Sequence, residues 1–218
     1  MCIQACIYFI NIIVVKSYKY GILEENMENI GKSLKKFWAF LKKDSWSSFA
    51  VTLLIAFIVI KFIFFPGLSL IMGTSLPIVI VESCSMYHQD PGFENTFTSP
   101  IYKKYGINIG DTKGWDFPNG FSKGDLIFVI RAKDIEVGDV IIFHGGTTNP
   151  LIHRVVNANG TYSTKGDNYK TNSQQLASEM NIKEEQILGK ALFKIPAVGW
   201  AKLIFFESGR PVSEKGLC

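Results

Sequence analysis

Histidine is scarce in this chain, three residues in 218, so any imidazole chemistry rests on His88, His144 or His153. Charge is scarce too: 19% charged residues stand against 47% hydrophobic ones. That balance is apolar for a soluble protein and suits a membrane segment beside a globular part. The formal net charge is only +4, and part of it is local to the segment before the longest apolar run. No basic stripe remains to bind nucleic acid. Cysteine is sparse and scattered, with Cys2, Cys6, Cys84 and Cys218 forming no CxxC pair and no metal-type Cys/His spacing. Neither a disulfide framework nor a zinc site is expected, and nothing calls for a cofactor. Beyond two Gly-Asp turns that each introduce a strand, the chain shows no repeat and no low-complexity segment.

Taken in order, residues 1–15 form an apolar run interrupted by Gln4 and Asn11. It falls short of the roughly 20 residues a spanning helix needs. Two readings stand: an imperfect second membrane segment, or an extension ahead of a true start at Met27. Residues 27–45 form a basic segment. Ile30, Leu34, Phe37, Trp38 and Leu41 recur at helical spacing, with Lys32, Lys35, Lys36, Lys42 and Lys43 between them. Such an amphipathic helix suits an anionic membrane surface. The apolar run 46–65 is long enough to cross a bilayer, Lys61 can snorkel to the interface, and Pro66-Gly67 should end the helix. The lysines before the span place the N-terminal side in the cytoplasm and residues 66–206 outside it, followed by a tail over 207–218.

The rest of the chain is organised around the stretch Pro77-Ile-Val-Ile-Val-Glu-Ser-Cys-Ser85-Met86. Its β-branched run predicts a buried strand over 78–81 that stops abruptly in small polar residues. The Ser85 hydroxyl is thereby held at the end of a rigid element, where a nucleophile loses little freedom on attack. Residues 87–121 are rich in aromatics and turn formers, either a lid or interfacial anchor, or a small packed hairpin without a direct role. From Ser122 the pattern is mainly β, with short strands in a compact coiled sheet or barrel-like domain.

A serine hydroxyl needs a base. His153 lies inside the apolar strand 151–156, which fixes its ring; His144 ends a strand beside two glycines, and His88 is close to Ser85 in sequence. Asp167, in Thr164-Lys-Gly-Asp-Asn, follows the hairpin that begins at His153 and is the expected partner of that imidazole. A Gly-Asp-Asn turn also caps itself without any catalytic role. For the oxyanion, the Ser85 N–H and the Ser83 hydroxyl, on the same face two residues back, are the candidate donors. Cys84 points the other way and reads as a small buried hydrophobe. Ile78, Ile80 and Val81 could wall a substrate cleft.

Ser85-Met86, Ile152-His-Arg-Val and Gly166-Asp167-Asn168, in this order behind an apolar span, resemble type I signal peptidases of the archaeal and endoplasmic-reticulum branch. The resemblance covers roughly residues 46–200, with 87–121 as an insertion. It implies a membrane-bound serine endopeptidase with Ser85 as nucleophile and His153 as general base. It also implies signal-peptide-bearing preproteins as substrates, bound as an extended strand, the lipid bilayer as environment and the secretion translocon as a candidate partner. The chain departs from the pattern at one point: relatives carry a further aspartate five or six residues after the Gly-Asp-Asn box, where this sequence has Asn172 and Ser173. Two other classes remain: a catalytically inactive membrane-anchored β-domain, and a Ser-Lys self-cleaving relative of the same clan. The latter would need a lysine near position 153 and a DNA-binding domain, and neither is seen.

Overall fold

The computed structural model describes residues 27–146, 148–212 and 215–218. The two readings of the apolar opening stretch fall on residues outside these. The chain divides into two compact units, one ending at Phe64 and the other spanning Phe65–Cys218.

In the first unit, helix α1 covers residues 27–41 and carries an exposed Lys32–Glu28 pair one turn apart. Its apolar residues Ile30, Leu34, Phe37 and Trp38 are exposed, the stripe that its sequence spacing predicts. Ser45 opens the next helix, its hydroxyl accepting from the Ser48 N–H at 3.2 Å. Helix α2, Trp46–Val59, passes through a π-helical turn, Ile60–Phe64, into α3, Phe65–Met72. Together they make 27 helical residues, the most apolar 18-residue window of which has a mean hydropathy of 2.6 and is 6% buried. At about 1.5 Å per residue the length is about 40 Å, more than a bilayer core requires. Pro66-Gly67 does not end the helix as expected. Proline costs least in the first turn of a helix, and Pro66 is the second residue of α3, directly after the π turn has shifted the hydrogen-bond register.

The second unit is built on one six-stranded antiparallel sheet in the order β1-β2-β6-β3-β4-β5. The strands are β1 Ile78–Ile80, β2 Leu126–Ile130, β3 Val140–Phe143, β4 Leu151–Asn157, β5 Ser163–Lys165 and β6 Ile187–Ile195. The sheet is open, with β1 and β5 as its edges, so the barrel-like expectation resolves into a curled sheet that does not close. Three register shifts, in the pairs β2·β6, β3·β6 and β4·β5, supply the bend. Val81, Met86, Phe121, Ile127, Val129, Val140, Ile142 and Ala191 form its main core cluster. A second cluster gathers Ile141, Phe143, Val155 and Ile182.

Two segments depart from their sequence reading. Residues 87–121 pack as short helices on the sheet, Tyr102 and Ile107 against Val156, with Phe97, Tyr105 and Trp115 around them. Their aromatics also enclose a charge: the Arg154 guanidinium lies 4.9 Å from the Phe93 ring centre and 5.5 Å from that of Trp115. The described residues of 207–218, expected as a tail, are stitched to the unit. A Cys84–Cys218 disulfide spans 134 residues, Arg210 donates to the Glu82 carboxylate at 2.7 Å, and Glu207 accepts from the buried Lys123 at 2.7 Å. Cys84 is thus half of a cross-link rather than a free hydrophobe, a pairing that sequence distance concealed.

Candidate active site

Strand β1 carries the chain into the turn 84–87, closed by the Tyr87 N–H donating to the Cys84 carbonyl at 3.1 Å. Ser85 sits on that turn, and the loop after β5 grips it from behind. The Asn168 N–H donates to the Ser85 carbonyl at 2.8 Å, and the Asn168 side-chain amide donates to the Cys84 carbonyl at 2.8 Å. Gly166 makes this approach possible, since a Cβ there would stand 2.8 Å from the Ser85 carbonyl oxygen and 2.7 Å from Nδ2 of Asn172. The Gly-Asp-Asn box therefore holds the serine turn in place.

His153 reaches the serine from β4, Nε2 lying 2.9 Å from Ser85 Oγ. Pairing of β4 with β3, which sets His153 opposite Ile141, and with β5 through the neighbouring Arg154 holds the backbone at His153. The Ser83 hydroxyl lies 3.2 Å from Ser85 Oγ. Sequence reasoning brought Ser83, Ser85 and His153 together, and the structure gathers the same three. His144 is exposed, and its backbone pairs with Gln186, away from this cluster.

Asp167 is not brought to His153. Its carboxylate takes Arg154 Nη2 at 2.7 Å, Arg154 Nε at 3.1 Å from each oxygen, and His88 Nε2 at 2.9 Å. Adjacent residues of a strand point to opposite faces, so the carboxylate that pairs with Arg154 is turned from the neighbouring His153. Burial by itself would raise the Asp167 pKa; Arg154 and His88 outweigh it and hold it at about 2. His88 completes this buried cluster, with Nδ1 2.7 Å from the Gly92 carbonyl oxygen.

The carboxylate at His153 belongs to Glu179, a residue that sequence reasoning did not single out. Glu179 Oε1 lies 2.6 Å from His153 Nδ1, both side chains almost wholly buried. The two atoms approach as an ion pair, and Nδ1 makes no hydrogen bond of regular geometry. At that separation the Nδ1 proton still has one place to point. Glu179 also accepts from the Leu176 N–H at 2.6 Å, the Gly166 N–H at 3.1 Å and the Asn172 side-chain amide at 3.1 Å. Burial pushes its carboxyl upward, but the His153 contact and these donors prevail and lower it.

A cavity of about 610 Å³ opens beside Ser85 and His153, with Ile78, Ile80, Ile142 and Ile152 among its apolar walls. Ile78 and Ile80 line it as expected; Val81 does not, being buried in the main core cluster. Among the described residues no group of His, Cys, Asp and Glu side chains could hold a metal ion.

A serine hydroxyl, an imidazole and a buried carboxylate lie in series beside an apolar cleft, an order that resembles the triad of serine hydrolases. Known proteins narrow that class. Over 172 residues the chain is 27% identical to the signal peptidase complex catalytic subunit SEC11 of Leptosphaeria maculans, covering 74% of this chain and 79% of that protein. It is 26% identical over 162 residues to SEC11 of Komagataella phaffii, covering 67% and 77%. The match to the Aspergillus oryzae subunit is 25% over 213 residues and covers 86% and 88%. The resemblance carried by the sequence motifs thus extends to curated signal peptidase catalytic subunits over most of the chain. No protein-family model matches it.

Proposed function

We propose that this protein is a membrane-bound serine endopeptidase that removes signal peptides from preproteins, with Ser85 as nucleophile and His153 as general base. The 2.9 Å contact between Ser85 Oγ and His153 Nε2 carries the reading. In it, Nε2 takes the Ser85 proton as Oγ attacks the scissile carbonyl carbon. The oxyanion that forms is met by the Ser85 N–H and the Ser83 hydroxyl. The tetrahedral species then collapses: the carbon–nitrogen bond breaks, and His153 returns its proton to the departing amine. A water, deprotonated by the same nitrogen, hydrolyses the Ser85 ester and frees the carboxylate of the signal peptide.

The free edge of β1 and the apolar cleft suit a peptide bound as an added strand. The 27-residue apolar helix supplies the anchor, with the lysine-rich segment before it on the cytoplasmic side. The Cys84–Cys218 disulfide supports the corresponding placement of the catalytic unit outside the cytoplasm, because such cross-links persist in oxidising compartments. The test is incubation of the purified protein, in lipid vesicles, with a preprotein carrying an intact signal peptide. A product cut after the signal peptide is expected. An uncut preprotein under conditions where the protein is folded and inserted would leave the inactive β-domain reading in its place.

A further inference from the structure

We propose that Glu179, not Asp167, is the positioning carboxylate of this site, and that Asn172 holds it there; the inference rests on the reading of Ser85 and His153 as nucleophile and base. A base of this kind must present a bare Nε2 to the serine, which requires the proton on Nδ1, and it must carry a positive charge once it has taken the serine proton. Both needs are met at Nδ1, and the group there is Glu179 Oε1, at 2.6 Å.

The two acids differ in their engagement. Asp167 spends its two oxygens on Arg154 and His88, a closed ionic cluster enclosed by Phe93 and Trp115. Glu179 has no cationic side chain in hydrogen-bond contact among the described residues. Its donors are two backbone N–H groups and one amide, all neutral, so the groups that hold its charge do not cancel it, although the buried Lys165 also acts on it electrostatically. A positive charge developing on His153 is then the nearest counter-ion.

The loop between Asp167 and Glu179 is built to hold this geometry. Lys165, fully buried, donates from Nζ to the Gly166 carbonyl at 2.6 Å and also to the Asn172 carbonyl. That grip sets the Asn172 amide 3.1 Å from the same Glu179 oxygen that faces His153. An acid at position 172 would therefore stand beside the Glu179 carboxylate, one contact removed from His153 Nδ1.

The experiment is preprotein cleavage by the full chain in lipid vesicles, with kcat and KM measured separately. Glu179→Gln should lower kcat by about 10²–10⁴-fold with KM changed less than threefold, because the amide no longer fixes the tautomer or offsets the charge. Adding Asn172→Asp to that variant should restore at least tenfold of the loss. A Glu179→Gln kcat within threefold of wild type overturns the inference. So does a loss that the double variant leaves unrestored, or one that follows a lowered melting temperature, since either marks a scaffold role. Ser85→Ala run alongside separates the two levels. If it is inactive while Glu179→Gln is normal, only the carboxylate assignment fails; if it cleaves, the underlying reading fails with it.

Discussion

Replacing Asp167 by asparagine should damage stability far more than chemistry. Arg154 is fully buried, and its guanidinium donates to Asp167 and to the carbonyls of Asp116, Phe117 and Gly138. Asparagine keeps the shape of the acid and removes its charge, leaving a buried cation without its ion partner. Breaking such a pair from one side costs roughly 3–5 kcal/mol. The three carbonyls still solvate Arg154, which places the cost at the lower end, about 3 kcal/mol. For a chain of this size each kcal/mol lowers the melting temperature by about 2–4 °C, so a fall of about 6–12 °C is expected. Turnover per folded molecule should stay within about fivefold of wild type, because Asp167 does not touch His153. The assay pairs a melting curve in detergent with kcat measured well below the new midpoint. An unchanged melting temperature with kcat down 10³-fold would refute the assignment and make Asp167 the partner of the base.

Acid should act through the same cluster. The Asp167 pKa is depressed to about 2 from the ordinary 3.8, so the folded state keeps this carboxylate charged further into acid than the unfolded chain does. Its contribution, about 2 kcal/mol, is complete above about pH 4 and lost as pH falls through about 2. The melting temperature should track that window in wild type and lose this component in Asp167→Asn. Opening the Cys84–Cys218 cross-link by Cys218→Ser should cost about 2–4 kcal/mol; a melting temperature unaffected by either the substitution or dithiothreitol would contradict it. Among the histidines, His153→Ala should be nearly inactive and His144→Ala normal. His88→Ala should mainly lower the melting temperature, since His88 contacts Asp167 and not Ser85. Turnover lost in His144→Ala with His153→Ala intact would move the base elsewhere.

What could be read from the residues was what local chemistry encodes. The β-branched run before Ser85 forms β1, the apolar flanks of His153 form β4, and the lysine-flanked apolar run forms a long helix. What could not be read depends on distant parts meeting. Cys84 and Cys218 are separated by 134 positions, and nothing near either marks the other. Glu179 lies in the 3-10 turn Ala177–Glu179, outside any motif, whereas the Gly-Asp-Asn box drew attention to Asp167. The one sequence hint was the departure at Asn172, an amide where relatives led us to expect an acid. It makes physical sense only once that amide is seen to donate to Glu179. The aromatics of 87–121 were visible as a cluster, but the arginine they enclose lies on a strand far along the chain.

The central claim is that a hydroxyl on the turn after β1 performs the cut. Its most direct test is the single-turnover rate of signal-peptide removal by wild type and by Ser85→Ala, each folded and inserted in the same lipid vesicles. Loss of the nucleophile should slow cleavage by at least about 10³-fold while the melting temperature holds within a few degrees. A variant that cuts the preprotein at the wild-type rate and at the same bond would contradict the account.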